Sequence, residues 1–229
     1  MSSSSLAGVG AVFFDLFGTV VSLGSLDAAC ERLVLGRGPA VAARWRARQL
    51  EASWLRTAME RWVDFDVVTR EALVATLEEF GVAPPADLDA AAAAFTELEM
   101  AEGAREGLEA LREASVATGI LSNASERTLN RIADRLTIPV EHRLSVDPAR
   151  RFKPHPAVYK LAVEATGLPP ERIGFVTSNG WDAAGAGAFG FRVAWLKPGP
   201  AATLPAVGAP VPRIATWSEI PNVFRPGRD

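Results

Sequence analysis

The chain has 229 residues, 48% hydrophobic and 22% charged, which is enough apolar material for a packed core and too little charge for a disordered chain. A formal net charge of −3 and a pI near 5.6 exclude an electrostatic case for nucleic acid, which draws on clustered Lys and Arg. No apolar run reaches the ~20 residues needed to cross a bilayer, and the length fits one core domain carrying a smaller insertion.

In chain order, Ala11-Val-Phe-Phe14 is a continuous apolar run closed by the turn signal Gly18-Thr19, which predicts a short buried strand with Asp15 at its C-terminal end. From about residue 25 to 98 no strand pattern intervenes. Trp45, Ala52, Leu55, Met59 and Trp62 recur near helical spacing as one expected apolar stripe, Pro84-Pro85 marks a turn, and Ala90 to Ala94 favours helix ahead of Phe95 and Leu98. After residue 100 the pattern alternates: helix 104–114, strand 119–121, helix 126–136, strand 144–146, helix 156–166 before Gly167, strand 173–176, helix 183–189 before Gly190, and strand 192–196. Residues 198–212, rich in Pro, Gly and Ala, are expected to form a loop before a last strand and a short helix. This alternation predicts an α/β fold, a Rossmann-like parallel sheet flanked by helices, with 1–20 and 99–229 as the core and 21–98 as an inserted helical cap.

Open sheets of this kind bind ligands just past the carboxyl ends of their strands. The residues to weigh are therefore Asp15, Ser122-Asn123, Lys153 and Thr177-Ser-Asn-Gly-Trp-Asp182. Each has an ordinary reading as well: Asp15 as a turn cap, Lys153 as a solvated lysine before the helix-starting Pro154, Asp182 as a cap of the next helix. Arg46, on a ridge with Leu50 and Trp54, is either a surface arginine whose stem covers Trp54 or a charge aimed into a site. His142 and His155 lie outside the pattern and read as surface or structural. Cys30, the one cysteine, has no partner for an internal disulfide, and the opening Met-Ser-Ser-Ser-Ser has no basic stretch ahead of an apolar core, so cytoplasmic residence is the expectation.

Four segments in fixed order, Phe14-Asp-Leu-Phe-Gly-Thr19, Leu121-Ser-Asn123, Phe152-Lys-Pro154 and Phe175-Val-Thr-Ser-Asn-Gly-Trp-Asp182, are joined by Gly36-Arg-Gly38, Trp45-Arg46, Gln49-Leu-Glu51 and Trp54-Leu-Arg56 in the cap. With these the chain resembles the haloacid dehalogenase superfamily, and within it the L-2-haloacid dehalogenases, over nearly its whole length. Most of that superfamily are magnesium-dependent phosphatases with a second Asp two residues after the nucleophile, where this chain has Phe17. They carry another carboxylate where this chain has Ser178. Magnesium wants a near-octahedral set of oxygens, and a halide leaves without proton or metal. The resemblance therefore implies an (S)-2-haloacid dehalogenase with no metal and no cofactor. Asp15 would attack the halogen-bearing carbon of a small L-2-haloacid, form an ester with inversion, and yield the D-2-hydroxyacid after hydrolysis.

The same resemblance implies the individual roles. Thr19 and Lys153 hold Asp15; Arg46, Asn123 and Trp181 receive the halide. Ser122 and the backbone amides of Leu16 and Phe17 grip the substrate carboxylate, while Leu50, Phe65 and the Phe17 ring pack round its alkyl group. Asn179 and Asp182 position the hydrolytic water and support Lys153, and Tyr159 and Thr177 complete the polar shell. Departures from the family pattern are Phe17 where many members have Tyr, Ala124 where they have Gly and Thr177 where they have Ser. Residues 99–105 also lack the prolines expected where cap returns to core. Composition is compatible with a homodimer, and neither nucleic acid nor membrane is an expected partner. The alternatives left open are a magnesium-dependent phosphatase of the same superfamily and an inactive binding protein that kept the fold.

Overall fold

The sheet is built around β1 (Ala11–Phe14), whose four side chains are all buried. Such a continuous apolar run, with no alternation, is what a strand covered on both faces requires. In the computed structural model, which describes residues 8–197 and 212–224, β1 is joined by β2 (Ala117–Ser122), β3 (His142–Ser145), β4 (Ile173–Thr177), β5 (Arg192–Leu196) and β6 (Arg213–Ile214). They form one parallel sheet in the order β3-β2-β1-β4-β5-β6. The strand order reverses at β1, with Phe14 opposite Ile120 of β2 and Val176 of β4. That reversal opens the crevice in which such sheets place their ligands.

Helices α1 (Ser25–Leu33), α2 (Gly38–Ala58), α3 (Phe65–Glu79) and α4 (Leu88–Ala92) lie between β1 and α5 (Ala104–Glu113). The remaining helices are α6 (Glu126–Arg135), α7 (Pro156–Thr166), α8 (Gly180–Phe189) and α9 (Ile220–Val223). Local chemistry sets several of their ends: Asp64 caps α3 by accepting the Val67 N–H, Ser125 caps α6 by accepting that of Thr128, and Pro156 opens α7. Gly167 closes α7 at a φ of 68°, in the left-handed region that costs glycine nothing. No helix among the described residues is long and apolar enough to cross a membrane.

Three expectations need correction. The strand placed at 144–146 begins at His142, because backbone pairing with Gly119–Ser122 of β2 sets its extent and the local apolarity does not. The helix placed at 183–189 starts at Gly180. Of the expected apolar stripe Trp45 is buried, but Leu55 and Met59 are more than half exposed, and the buried row of α2 is Val41, Trp45, Gln49 and Ser53. That row follows an i, i+4 spacing, with polar side chains substituted for apolar ones in its second half. The loop expected at 198–212 falls, except for Pro212, outside the described residues.

The two crossings between the helical segment and the sheet run side by side. Val21 and Met100 form an antiparallel bridge, the Ser22 N–H donates to the Glu99 carbonyl at 2.9 Å, and the Ala101 N–H donates to the Val20 carbonyl at 2.9 Å. A backbone pair thus ties the crossing where prolines were expected.

Candidate active site

Asp15 follows β1 directly, and its N–H donates to the Val176 carbonyl of β4 at 3.0 Å, which fixes the carboxylate over the crevice. The turn after it needs Gly18, whose φ of 83° lets the chain double back so that Gly18 N–H meets the Val21 carbonyl. This turn brings Thr19 back under Asp15. The carboxylate is 5% exposed and held on both oxygens. Oδ1 receives Lys153 Nζ at 3.1 Å. Oδ2 receives Asn179 Nδ2 at 2.7 Å, with the hydroxyls of Thr19 and Thr177 at 3.4 and 3.5 Å.

Lys153 is fully buried, which removes its reading as a solvated lysine. Its ammonium bridges Asp15 and Asp182, reaching Asp182 Oδ2 at 2.9 Å, and its backbone N–H donates to Asn123 Oδ1 at 2.9 Å. Asp182 lies in the first turn of α8 without a side-chain cap bond there; its Oδ1 accepts the Tyr159 hydroxyl at 2.8 Å. Burial pushes the Asp182 carboxyl up to about 6, against the opposing pull of the Lys153 ammonium. Burial, reinforced by Asp182, raises the Tyr159 phenol well above its ordinary value, so it stays a donor. This close packing explains the glycine at position 185 of α8. A Cβ at Gly185 would come within 2.5 Å of Pro154 Cβ and 2.6 Å of the Tyr159 hydroxyl.

Arg46 reaches the same place from α2. Its guanidinium lies 5.7 Å over the Phe17 ring and donates to Gln49 Oε1 at 2.5 Å, so its charge is turned toward the site. Burial pushes Arg46 down to about 10, with Asp15 and Asp182 pulling it back up, and it remains a cation at neutral pH. Phe17 stacks on Phe65 at 6.0 Å, and Phe65 in turn lies 5.7 Å from Phe152. Trp181 meets Trp54 edge-on at 5.6 Å. Ser122 is buried and its Oγ accepts the Ala124 N–H at 3.1 Å, which accommodates alanine at that turn. Leu16 is buried beside Asp15, and Leu50 is half-buried one turn beyond Arg46. His155 caps α7 through Nδ1 and His142 stacks on Phe13 at 5.8 Å, both structural.

The structure therefore links Asp15, Thr19, Lys153, Tyr159, Thr177, Asn179, Asp182 and Asn123 in one hydrogen-bonded network and sets Arg46 beside it over Phe17. Thr69 and Asp66 escaped the sequence reading, and Gln49, quoted there among the cap segments, was given no role. Gln49 and Thr69 are buried polar side chains on facing helices, and their legible signal was a polar residue in a core-facing helical row. Asp66 had none: its carboxylate accepts Ser125 Oγ, Thr128 Oγ1 and an Arg127 nitrogen, each at 2.9 Å, and so fastens α3 to the start of α6. A cleft of about 340 Å³ opens there, between the Phe17 and Phe65 rings and the guanidinium groups of Arg70, Arg127 and Arg131.

Comparison with known proteins agrees in sequence and in structure. Residues 9–190 match the family described as haloacid dehalogenase-like hydrolase. The chain is 42% identical over 187 residues to an (S)-2-haloacid dehalogenase of Xanthobacter autotrophicus, covering 80% of this chain and 73% of that one. It is 37% identical over 194 residues to haloacetate dehalogenase H-2 of Moraxella sp. (strain B), covering 82% and 85%. The structure of an L-2-haloacid dehalogenase from Xanthobacter autotrophicus with chloropropionic acid covalently bound superposes with a TM-score of 0.87 at 33% identity, over 93% of this chain and 97% of that one.

Proposed function

The chain belongs to the haloacid dehalogenase-like hydrolases, and from that membership and the geometry of its site we propose that it is an (S)-2-haloacid dehalogenase with Asp15 as the nucleophile. One observation carries the reading. The Asp15 carboxylate is held by an ammonium on one oxygen and by neutral donors on the other, and Phe17, two residues on, offers no acid to protonate an alkoxide leaving group.

The substrate carboxylate sits against the Leu16 and Phe17 N–H groups and the Ser122 hydroxyl. The Ser122 oxygen already accepts from Ala124, which leaves its proton for an anion. An Asp15 oxygen attacks C2 from the face opposite the halogen. The O–C2 bond forms as the carbon–halogen bond breaks, the halide leaves with the bonding pair, and the centre inverts. Arg46, Asn123 and Trp181 receive the halide; Asn123 Nδ2 is a buried donor with no partner among the described residues, a group that an anion would satisfy. Water then adds to the Asp15 carboxyl carbon. Asp182, poised near neutrality, takes one of its protons and returns it to the departing hydroxyl of the D-2-hydroxyacid. The water oxygen stays on Asp15, and the second proton passes to solvent as the Asp15 carboxylate is regenerated.

A divalent cation does not fit here. The two oxygens that converge beside Asp15, its Oδ2 and the Phe17 carbonyl, are already spanned by the Asn179 amide nitrogen at 2.7 and 3.1 Å. Among the described residues no three carboxylate, imidazole or thiol groups converge. Within this proposal residues 21–98 act as the cap that shields the ester from bulk water, on a core of 1–20 and 99–229. Cytoplasmic residence and a homodimer complete it; sedimentation checks the latter.

The test is halide release and product configuration from L- and D-2-chloropropionate in excess chelator, with Asp15→Asn alongside. Chloride from the L substrate alone, with D-lactate as product and no turnover by the variant, is the expected result. Phosphate-ester hydrolysis switched on by magnesium, without halide release, would replace this reading with the superfamily's phosphatase chemistry. Silence in both assays would favour a binding protein.

A further inference from the structure

The charge that meets the departing halide has to be aimed without being cancelled, and the way Arg46 is held meets both demands. Gln49 is fully buried on α2. Its Oε1 accepts from Arg46 at 2.5 Å, and its Nε2 donates to Thr69 Oγ1 at 2.6 Å on α3. The Thr69 hydroxyl donates to the Phe65 carbonyl at 2.7 Å, and the Thr69 carbonyl accepts Trp45 Nε1 at 2.8 Å. Every group in this chain of contacts is neutral except the guanidinium. Among the described residues no carboxylate lies within ion-pair distance of Arg46, whereas most other arginines of the helical segment, Arg44, Arg48, Arg56 and Arg70, are paired with Glu or Asp.

We propose that Gln49 is a positioning residue for the dehalogenation step: it fixes the direction of Arg46 through a neutral amide oxygen, anchored by Thr69, so that the full positive charge faces the leaving halide. This rests on the dehalogenase reading above. A carboxylate at the same position would hold the guanidinium equally well and neutralise it, while an apolar side chain would leave it charged but unaimed. The halide carries its negative charge only as the carbon–halogen bond breaks, so an interaction with it acts on kcat more than on KM. It also matters most where the leaving group is poorest.

The experiment compares Gln49→Glu and Gln49→Leu with the unsubstituted protein on L-2-chloropropionate and L-2-bromopropionate, with thermal melting to confirm folding. Loss of a preorganised charge-stabilising group costs about 10²–10³ in kcat. Gln49→Glu is therefore expected to lose about 100-fold in kcat on the chloro substrate with little change in KM, and several-fold less on the bromo substrate. Gln49→Leu is expected to show the same ordering with smaller losses. Equal losses on both substrates, or a loss confined to KM, would mean that Gln49 only supports packing and would overturn the proposal while leaving the dehalogenase reading intact. Absence of halide release by the unsubstituted protein would overturn both.

Discussion

Replacing Lys153 with Met leaves Asp15 and Asp182 facing each other without the ammonium that bridges them. Their oxygens lie 3.1 and 2.9 Å from the same ammonium nitrogen, and so at most about 6 Å apart. Two unit charges at that separation repel by roughly 3 kcal/mol at an effective dielectric of 20, in line with the ~3–5 kcal/mol typical of stripping one partner from a buried ion pair. With a urea slope of ~2–3 kcal/mol per molar, the midpoint of unfolding should fall by about 1–2 M at pH 8. The pH dependence follows from Asp182, whose value rises from 3.8 to about 6 on folding. The native state holds that proton more tightly than the unfolded chain, so this group's contribution to stability declines as pH rises from about 4 to about 6. Without the Lys153 charge the carboxyl is driven higher still, and the deficit of the variant relative to the unsubstituted protein should be smaller at pH 5 than at pH 8. Urea titrations of both proteins at the two pH values decide it. A deficit under about 1 kcal/mol at pH 8, or one that grows on acidification, would refute the picture of two buried carboxylates sharing one ammonium.

Two further substitutions probe the scaffold around the site. Asp66→Ala removes the acceptor of three donors that fasten α3 to α6, and should cost ~1–3 kcal/mol in urea unfolding; an unchanged midpoint would show that the contact is not a fastening. Gly119→Ala places a Cβ in overlap with the Phe13 ring and 3.0 Å from His142 Cβ, so overpacking should lower stability by ~1–3 kcal/mol, read as a drop in Tm of several degrees.

Much of the fold is written in local pattern. Continuous apolar runs marked the central strands because a strand covered on both faces buries every side chain, and Gly167 and Gly190 marked helix ends because both adopt a positive φ. The motif residues Asp15, Asn179 and Asp182 were legible for the related reason that each stands at the end of a strand or the start of a helix, where backbone geometry carries it to the crevice; Lys153, in the turn ahead of α7, was legible only through its place in the motif order.

What the sequence by itself determined, then, is the α/β order, the position of the crevice and the residue types that line it, since these depend on neighbours a few positions away along the chain. Only the tertiary structure decided which face of α2 is buried, that Asn179 spans the Asp15 and Phe17 oxygens, and that Arg46 is aimed by Gln49 while Asp66 fastens α3 to α6. Apart from the Arg46–Gln49 contact, which lies within α2, these contacts join residues from separate elements, up to 164 positions apart between Asp15 and Asn179. Their energies depend on burial and direction, which no local pattern records.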